Sequence, residues 1–300
     1  SPEEGMDIQI QASASVPVVP DATIVRDLTF DPGAQIDLEG TLYVTGAIHV
    51  KYAIVPDKWY SIGFPYGTGN INVRSEWFES EGWSPLLPYK ATGYGPLEEG
   101  GENYYGDYYL RAYNPASATP FSDVETIEAG KGYIILFPDY FVDADGNGGN
   151  IITFTSEPQT LTGGNNPLPV DDKLRLVPNP SFKNIELTPP ADKVYYYLNK
   201  EENEYIKLTT DPGTLAPFEA AITGLSDQPE TEALTIPIEE GPITGGGNRP
   251  AITSGPVLST RYYTLQGIEV AQPAKSGVYI AKHRYHSGKE KIEKIIYKQQ

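Results

Sequence analysis

The most constraining feature of the sequence is the segment 130–156, in which two runs of strand-forming residues enclose a turn-forming stretch. The runs are residues 133–137 and 151–155. The Asp, Asn and Gly residues between them tolerate the positive φ that a chain reversal needs. We interpret the segment as an antiparallel hairpin at the centre of a β-sheet. Because the first run is apolar without interruption, we expect its strand to be covered on both faces, inside a sandwich.

Turn-forming residues along the whole chain predict an all-β fold. The 30 Gly and 27 Pro residues are spread through the 300 positions, which suits many short strands joined by turns. Between residues 50 and 240 no helical period is sustained. The sequence therefore predicts a jelly-roll-like β-sandwich, preceded by strand-turn units and followed by a small antiparallel β-domain.

The strand-turn units occupy residues 21–51, where apolar and polar residues alternate and turns recur about every ten residues. This segment looks like about two or three rungs of a β-helix, in which each rung buries its apolar face by stacking on the next. An ordinary three-stranded meander has the same short period and remains the alternative. In either case we expect the segment to pack on the following sandwich.

Composition divides the chain into four parts. Residues 1–20 predict an extended lead-in, and residues 21–240 contain the rungs and the sandwich. Residues 241–256 are rich in Gly and Pro and predict a linker. Residues 257–300 carry eight Lys and Arg against three acids, in a chain whose net charge is −18. A basic tail on an acidic protein marks a separate C-terminal unit.

Charge and cysteine content exclude several classes of function. A net charge of −18 argues against nucleic acid and anionic membrane surfaces as partners. The absence of cysteine excludes disulfides, thiolate catalysis and Cys-ligated metals. No apolar run approaches the roughly 18 residues of a membrane span, so we expect no membrane insertion. The chain opens without a leader, and we assume that a signal peptide has been removed.

Residues 261–298 resemble the C-terminal sorting domain of Bacteroidetes proteins that are exported by the type IX (Por) secretion route. The matching positions are residues 262–265, Gly267, Val270, residues 277–280 and residues 294–296. The resemblance implies a secreted or cell-surface location, on the exterior of a bacterial outer membrane. Residues 289–298 also fit a helix, but the resemblance favours a strand there.

A second set of segments resembles a sandwich module common in large surface proteins of the same bacteria. The segments are residues 59–65, 129–133, 152–154 and 177–180. In that module the last motif usually reads Gly-Asn-Pro, and here Pro178 replaces the glycine. Those proteins are mostly uncharacterised or are called adhesion-like, so the resemblance implies a place, the bacterial exterior, more than an activity.

Tyrosine and tryptophan residues predict a ligand platform, since flat aromatic faces stack on sugars. The alternative is cross-strand aromatic packing, which needs no ligand. Neighbouring tyrosines on a strand point to opposite faces, so we expect half of those between positions 104 and 109 to face outward. The residues of this predicted platform are Trp77, Trp83, Tyr94, Tyr104, Tyr105, Tyr108 and Tyr109.

One acidic turn matches the start of a calcium-binding loop. Asp143, Asp145 and Asn147 supply oxygens at positions 1, 3 and 5, and Gly148 stands at position 6. Position 12 is Phe154 rather than a glutamate, and strands flank the loop in place of helices. We interpret it as a hairpin turn that takes up calcium only adventitiously, and we expect no cofactor.

No catalytic motif stands out. The sequence has no Gly-x-Ser-x-Gly elbow and no phosphate-binding loop. We expect a non-enzymatic, exported cell-surface protein with an adhesive or structural role, whose partner is a host or cell-surface protein or a glycan. The alternative is a carbohydrate-binding module for polysaccharide capture. A glycoside hydrolase is the least favoured, because no acid pair can be assigned.

Overall fold

The computed structural model shows an all-β protein. It describes residues 5–66, 69–75, 85–90, 92–93, 106–115, 120–137, 150–163, 168–188, 192–209, 212–226, 235–238, 257–264, 269–270, 277–285 and 290–297. Within these ranges the regular secondary structure is entirely β-strand, as predicted. None of these ranges holds a helix of the length and apolarity that crossing a membrane requires.

The strands, in chain order, are β1 (Ile8–Ile10), β2 (Val18–Val19), β3 (Thr23–Val25), β4 (Leu28–Phe30), β5 (Asp37–Leu38), β6 (Thr41–Val44), β7 (Ile48–Ile54), β8 (Trp59–Gly63), β9 (Asn70–Ser75), β10 (Tyr109–Tyr113), β11 (Phe121–Asp123), β12 (Ile127–Glu128), β13 (Gly132–Leu136), β14 (Asn150–Ser156), β15 (Gln159–Thr162), β16 (Arg175–Pro178), β17 (Ile185–Leu187), β18 (Lys193–Asn199), β19 (Glu204–Lys207), β20 (Gly213–Leu215), β21 (Ala220–Leu225), β22 (Thr235–Pro237), β23 (Val257–Thr264), β24 (Glu269–Val270), β25 (Gly277–Tyr285) and β26 (Glu290–Tyr297).

The N-terminal strands stack in parallel, as the rungs of a short β-helix. β1, β4 and β7 form one parallel row, β2 and β5 a second, and β3 and β6 a third. In the first row Ile8, Leu28 and Ile48 lie side by side, which sets the rung at about 20 residues. Strands of a meander pair antiparallel, so the β-helix interpretation is confirmed. The predicted lead-in over residues 1–20 is wrong, because β1 and β2 already belong to the first rung.

A repeated Asp–Gly contact joins one rung to the next. Asp21 Oδ1 accepts the backbone N–H that follows Gly40 at 2.6 Å, and Asp27 Oδ1 accepts the N–H that follows Gly46 at 2.7 Å. A Cβ on either glycine would lie 2.1 or 2.0 Å from the carboxylate oxygen. Glycine is therefore required at both positions to let the carboxylate reach the backbone.

The β-helix continues directly into the sandwich. β7 of the third rung pairs antiparallel with β14, and β6 of the second rung pairs antiparallel with β15. β9 and β12 extend the sheet beyond β14. The result is a six-stranded sheet in the order β1-β4-β7-β14-β9-β12 and a three-stranded sheet in the order β15-β6-β3. The rungs therefore share one sheet with the sandwich. We expected them to lie against the sandwich, and they do so as part of its sheet.

The second sheet of the sandwich has the order β11-β10-β13-β8. β13 lies inside this sheet and both of its faces are buried, as the apolar run predicted. The predicted hairpin is wrong, because β13 pairs with β8 and β10, whereas β14 pairs with β7 and β9 in the facing sheet. The physical reason is that one face of β14 is directed toward solvent: Ile152 and Phe154 are buried, and Thr153 and Thr155 face outward. β14 therefore fits the outer sheet, whereas β13 fits the sheet that is covered on both sides.

A third layer covers the far side of the four-stranded sheet. It is the antiparallel sheet β16-β21-β18-β19-β22, and its inner face packs on residues such as Trp59 and Ile134. The two-stranded sheet formed by β17 and β20 packs on its outer face through Leu187 and Leu215. Because layers lie on both sides, every residue of β8 is buried, and in β13 the first four residues are buried, which explains the continuous apolar character of β13.

The C-terminal strands form an antiparallel sheet in the order β24-β23-β25-β26. β26 pairs along its length with β25, so the strand favoured by the resemblance is confirmed and the helical alternative is wrong. The predicted linker, residues 241–256, lies outside the described residues.

A buried hydroxyl chain joins the four-stranded sheet to the third layer. The Tyr205 hydroxyl donates to Ser61 Oγ at 2.8 Å, and the Ser61 hydroxyl donates to the carbonyl of Ala220 at 2.6 Å. Tyr205 is fully buried. Burial raises the pKa of the Tyr205 hydroxyl well above its ordinary value, because the phenolate would lose its hydration.

We expect Tyr205→Phe to lower the free energy of unfolding by about 1 kcal/mol at pH 7, through loss of the hydrogen bond. Because the pKa of Tyr205 is higher in the folded than in the unfolded protein, its neutral hydroxyl stabilises the fold fully below the unfolded-state pKa of about 10. This contribution is lost as the pH rises through the folded-state pKa. Urea unfolding between pH 7 and 11 should therefore show that the free energy of unfolding falls more steeply with pH in the wild type than in Tyr205→Phe. Tyr197→Phe, at an exposed position, is the control, and equal alkaline slopes in all three proteins would contradict the expectation.

Candidate binding surface

The outer side of the six-stranded sheet carries two rows of polar side chains, which we call the polar face. Strand alternation puts residues such as Val50 and Phe154 inside and their neighbours outside. The first row follows the strand register through Gln9, Thr29, His49, Thr155 and Asn72. Since neighbouring strands lie about 4.8 Å apart, this row extends about 19 Å across the sheet.

The second row of the polar face runs parallel to the first and contains charged residues. Thr153 lies directly between Lys51 and Arg74 in the register of the three central strands. Lys51 Nζ is 3.9 Å from Asp31 Oδ1 at the end of the row. Gln9 Nε2 donates to both carboxylate oxygens of Asp31, at 3.0 and 2.8 Å, and so ties the two rows together.

A shallow depression of about 260 Å³ lies at the centre of the polar face. One hydrogen bond within it joins His49 Nδ1 and Thr155 Oγ1 at 3.1 Å. The depression is lined by Gln9, Thr29, His49, Lys51, Arg74, Thr153 and Thr155. Each of these residues lies on a paired strand, so its backbone position is set by the sheet.

The polar face is rich in groups that form hydrogen bonds. Threonine hydroxyls both donate and accept, the glutamine and asparagine amides do the same, and Lys51 and Arg74 donate only. Such a set suits a ligand rich in hydroxyl groups. Among the described residues no group of three or more His, Cys, Asp or Glu is placed to hold a metal ion.

A second depression, of about 560 Å³, lies on the three-stranded sheet. Tyr43 is 43% exposed there, and its register partner Ile24 is 50% exposed. Sequence reasoning missed Tyr43, although the inward positions of Leu42 and Val44 predict that it faces outward. The lining residues are Tyr43, Val44, Thr45, Pro158, Gln159 and Thr160.

Two residues of the predicted aromatic platform, Tyr108 and Tyr109, fall within the described part of the chain. They do point to opposite faces, but both are buried, so the expectation that one of them faces outward is wrong. The ring of Tyr108 packs 5.5 Å from Phe137, and the ring of Tyr109 packs 4.9 Å from Tyr89. The physical reason is that protein layers cover both faces of this sheet. The remaining platform residues, Trp77, Trp83, Tyr94, Tyr104 and Tyr105, lie outside the described residues.

The predicted calcium turn also falls beyond the described part of the chain. Its ligands Asp143, Asp145 and Asn147 all lie in the range 138–149, which is not among the described residues.

Comparisons with models of protein families, with curated proteins and with solved structures give no match to the chain. The two resemblances drawn from short motifs therefore remain predictions.

Proposed function

We propose that the protein is a non-enzymatic adhesive protein of the bacterial cell surface that holds a glycan on its polar face. The observation that carries this proposal is the double row of hydrogen-bonding side chains on one rigid sheet face. A glycan presents many hydroxyl groups in a line, and each hydroxyl both donates and accepts. The polar face offers such groups on five neighbouring strands, from β1 to β9.

The shape of the polar face supports a polymer rather than a small molecule. Sites for small ligands are deep and bury most of the ligand surface. The depression here is shallow and about 260 Å³ in volume, while the first polar row spans five strands and continues beyond it at Asn72. A sugar chain lying across the strands would contact successive side chains of the row, one strand at a time.

The cell-surface part of the proposal rests on the C-terminal unit. Its strands form a sheet of their own, and residues 257–300 are basic in an acidic chain. Together with the motif resemblance, these features support its use as an export signal. On the cell surface, the polar face would attach the protein to a glycan.

The proposal is tested by the double variant Thr29→Val/Thr153→Val, which removes two hydroxyls of the polar face and keeps the shape of the side chains. A glycan array first identifies a ligand, and calorimetry then measures its affinity. Two lost hydrogen bonds of about 1 kcal/mol each predict roughly 30-fold weaker binding.

Thr160→Val is the matched control, because Thr160 is an exposed threonine on the three-stranded sheet. Its affinity should equal that of the wild type. The proposal fails if no glycan binds. It also fails if the double variant binds normally while Tyr43→Ala abolishes binding, since the ligand would then lie in the second depression.

A further inference from the structure

The polar face differs in charge from the rest of the molecule. The chain has 40 acidic residues against 22 Lys and Arg. Among the described residues that line the central depression, Lys51 and Arg74 are cations and none is an acid. Lys51 pairs with Asp31, which lies at the end of the second row. The described residues of this row thus comprise two cations and one acid, in a chain whose net charge is −18.

The two cations are placed to act on one ligand group. Lys51 and Arg74 are both register partners of Thr153, on the strands to either side of it. Two strand spacings put their backbones about 10 Å apart. Lys51 Nζ lies 3.9 Å from Asp31 Oδ1, and both cations line the central depression. Between them lies the Thr153 hydroxyl. An ammonium, a hydroxyl and a guanidinium thus line the same depression.

These donors favour an anionic oxygen over a neutral hydroxyl. Hydrogen bonds from Lys or Arg to a carboxylate or a sulfate are shorter and roughly twice as strong as neutral ones. A neutral sugar gains little from two cations in one depression. An acidic sugar gains from both of them, so the charge of the depression indicates an acidic ligand.

Two cations match a ligand with isolated charges. A glycan that carries a carboxylate or a sulfate on some of its rings brings one or two anionic groups to such a site. Nucleic acid brings a phosphate with every nucleotide and needs a continuous basic track. A net charge of −18 opposes such a polyanion at long range.

Building on the proposed function, we propose that the glycan held by the polar face is acidic, and that its carboxylate or sulfate group binds between Lys51 and Arg74. The rest of the first row then contacts the hydroxyls of the neighbouring rings. The inference names the class of ligand and the two residues that select it.

The test compares polymers that differ only in charge. The full chain is titrated with sparsely charged polymers and their neutral forms: polygalacturonate with most of its carboxylates methyl-esterified against the full methyl ester, and lightly sulfated dextran against unsulfated dextran. We expect at least one acidic polymer to bind about ten-fold or more tightly than its uncharged form, because a charge-assisted hydrogen bond contributes about 1.5 kcal/mol or more. The pair that responds identifies the anion as carboxylate or sulfate.

Variants then locate the charge. Lys51→Gln and Arg74→Gln should each weaken acidic-polymer binding about ten-fold, and the double variant should lose the salt dependence of the affinity. Arg175→Gln, at an exposed arginine of the third layer, is the matched control and should bind as the wild type does.

The outcomes separate the two proposals. Equal binding of charged and uncharged polymers, still weakened by Thr29→Val/Thr153→Val, would overturn the acidic ligand and leave glycan binding in place. Glycan binding that no polar-face variant alters would overturn both. Duplex DNA that binds as tightly as the acidic polymers, with the same loss in Lys51→Gln, would overturn the glycan as the ligand.

Discussion

Asn179→Asp is expected to lower the free energy of unfolding by about 3 to 5 kcal/mol at pH 7, the range seen when an uncompensated charge is left buried. Asn179 is fully buried. Its Nδ2 donates to the carbonyls of Lys183, Leu215 and Ala216 at 3.0 to 3.1 Å, and its Oδ1 accepts the N–H of Ser181 at 2.8 Å. The two hydrogens of one amide thus serve three carbonyls. A carboxylate would remove these donors and face the three oxygens with a negative charge.

Urea unfolding at pH 4 and pH 7 checks the expectation. Burial and the carbonyl oxygens should raise the pKa of the new carboxyl, so its destabilising effect should shrink as pH falls and the group becomes neutral. Asn184→Asp is the matched control, because Asn184 is exposed, and it should stay within about 0.5 kcal/mol of the wild type. Equal stabilities of the two variants at pH 7 would show that the Asn179 amide does not organise this turn.

Gly63→Ala and Gly132→Ala are each expected to cost about 3 kcal/mol, because the four-stranded sheet and the third layer approach too closely for a methyl group. The two glycines are register partners, and they face the paired residues Pro178 and Ala220. A Cβ on Gly63 would lie 2.5 Å from the Pro178 Cβ. A Cβ on Gly132 would lie 2.7 Å from the Leu176 carbonyl oxygen. Backbone and a proline ring cannot move aside as a flexible side chain can. The loss of stability should therefore be at the upper end of the range usual for overpacked cores.

Thermal and urea unfolding of the two variants measure this cost. Gly213→Ala is the control, since its new Cβ meets only the Leu208 side chain, at 3.0 Å or more. Ala220→Gly should restore part of the stability of Gly132→Ala, because the Ala220 Cβ lies 2.9 Å from the position that the new methyl group would take. Variants as stable as Gly213→Ala would contradict the close approach of the two sheets.

The glycine contact also gives a physical reason for three of the segments that resemble a surface-protein module. Residues 59–65 contain Gly63, residues 129–133 contain Gly132, and residues 177–180 contain Pro178 and Asn179. These segments are far apart in the chain, and they meet where the two sheets touch. Their residue types are explained by packing between layers, without reference to a ligand.

Local patterns were enough to predict much of the architecture. Alternation and turn spacing predicted strands throughout, and the uninterrupted apolar run of β13 predicted a strand with two buried faces. The rung-like repeat left a β-helix and a meander open, and the parallel pairing of Ile8, Leu28 and Ile48 shows the β-helix. These features depend on which side of a strand is apolar, which the sequence states directly.

Strand partners and the polar face were decided only by the tertiary structure. The alternation of apolar and polar residues in β14 shows that Thr153 and Thr155 face away from the core. It does not show that His49 lies beside Thr155. Neither does a pair of tyrosines such as Tyr108 and Tyr109 show that both faces of its sheet are covered. Alternation is a property of one strand, whereas a binding surface forms from strands that are distant in the chain. Pairing between such strands is settled by the burial of whole layers, and so the polar face exists only in the folded molecule.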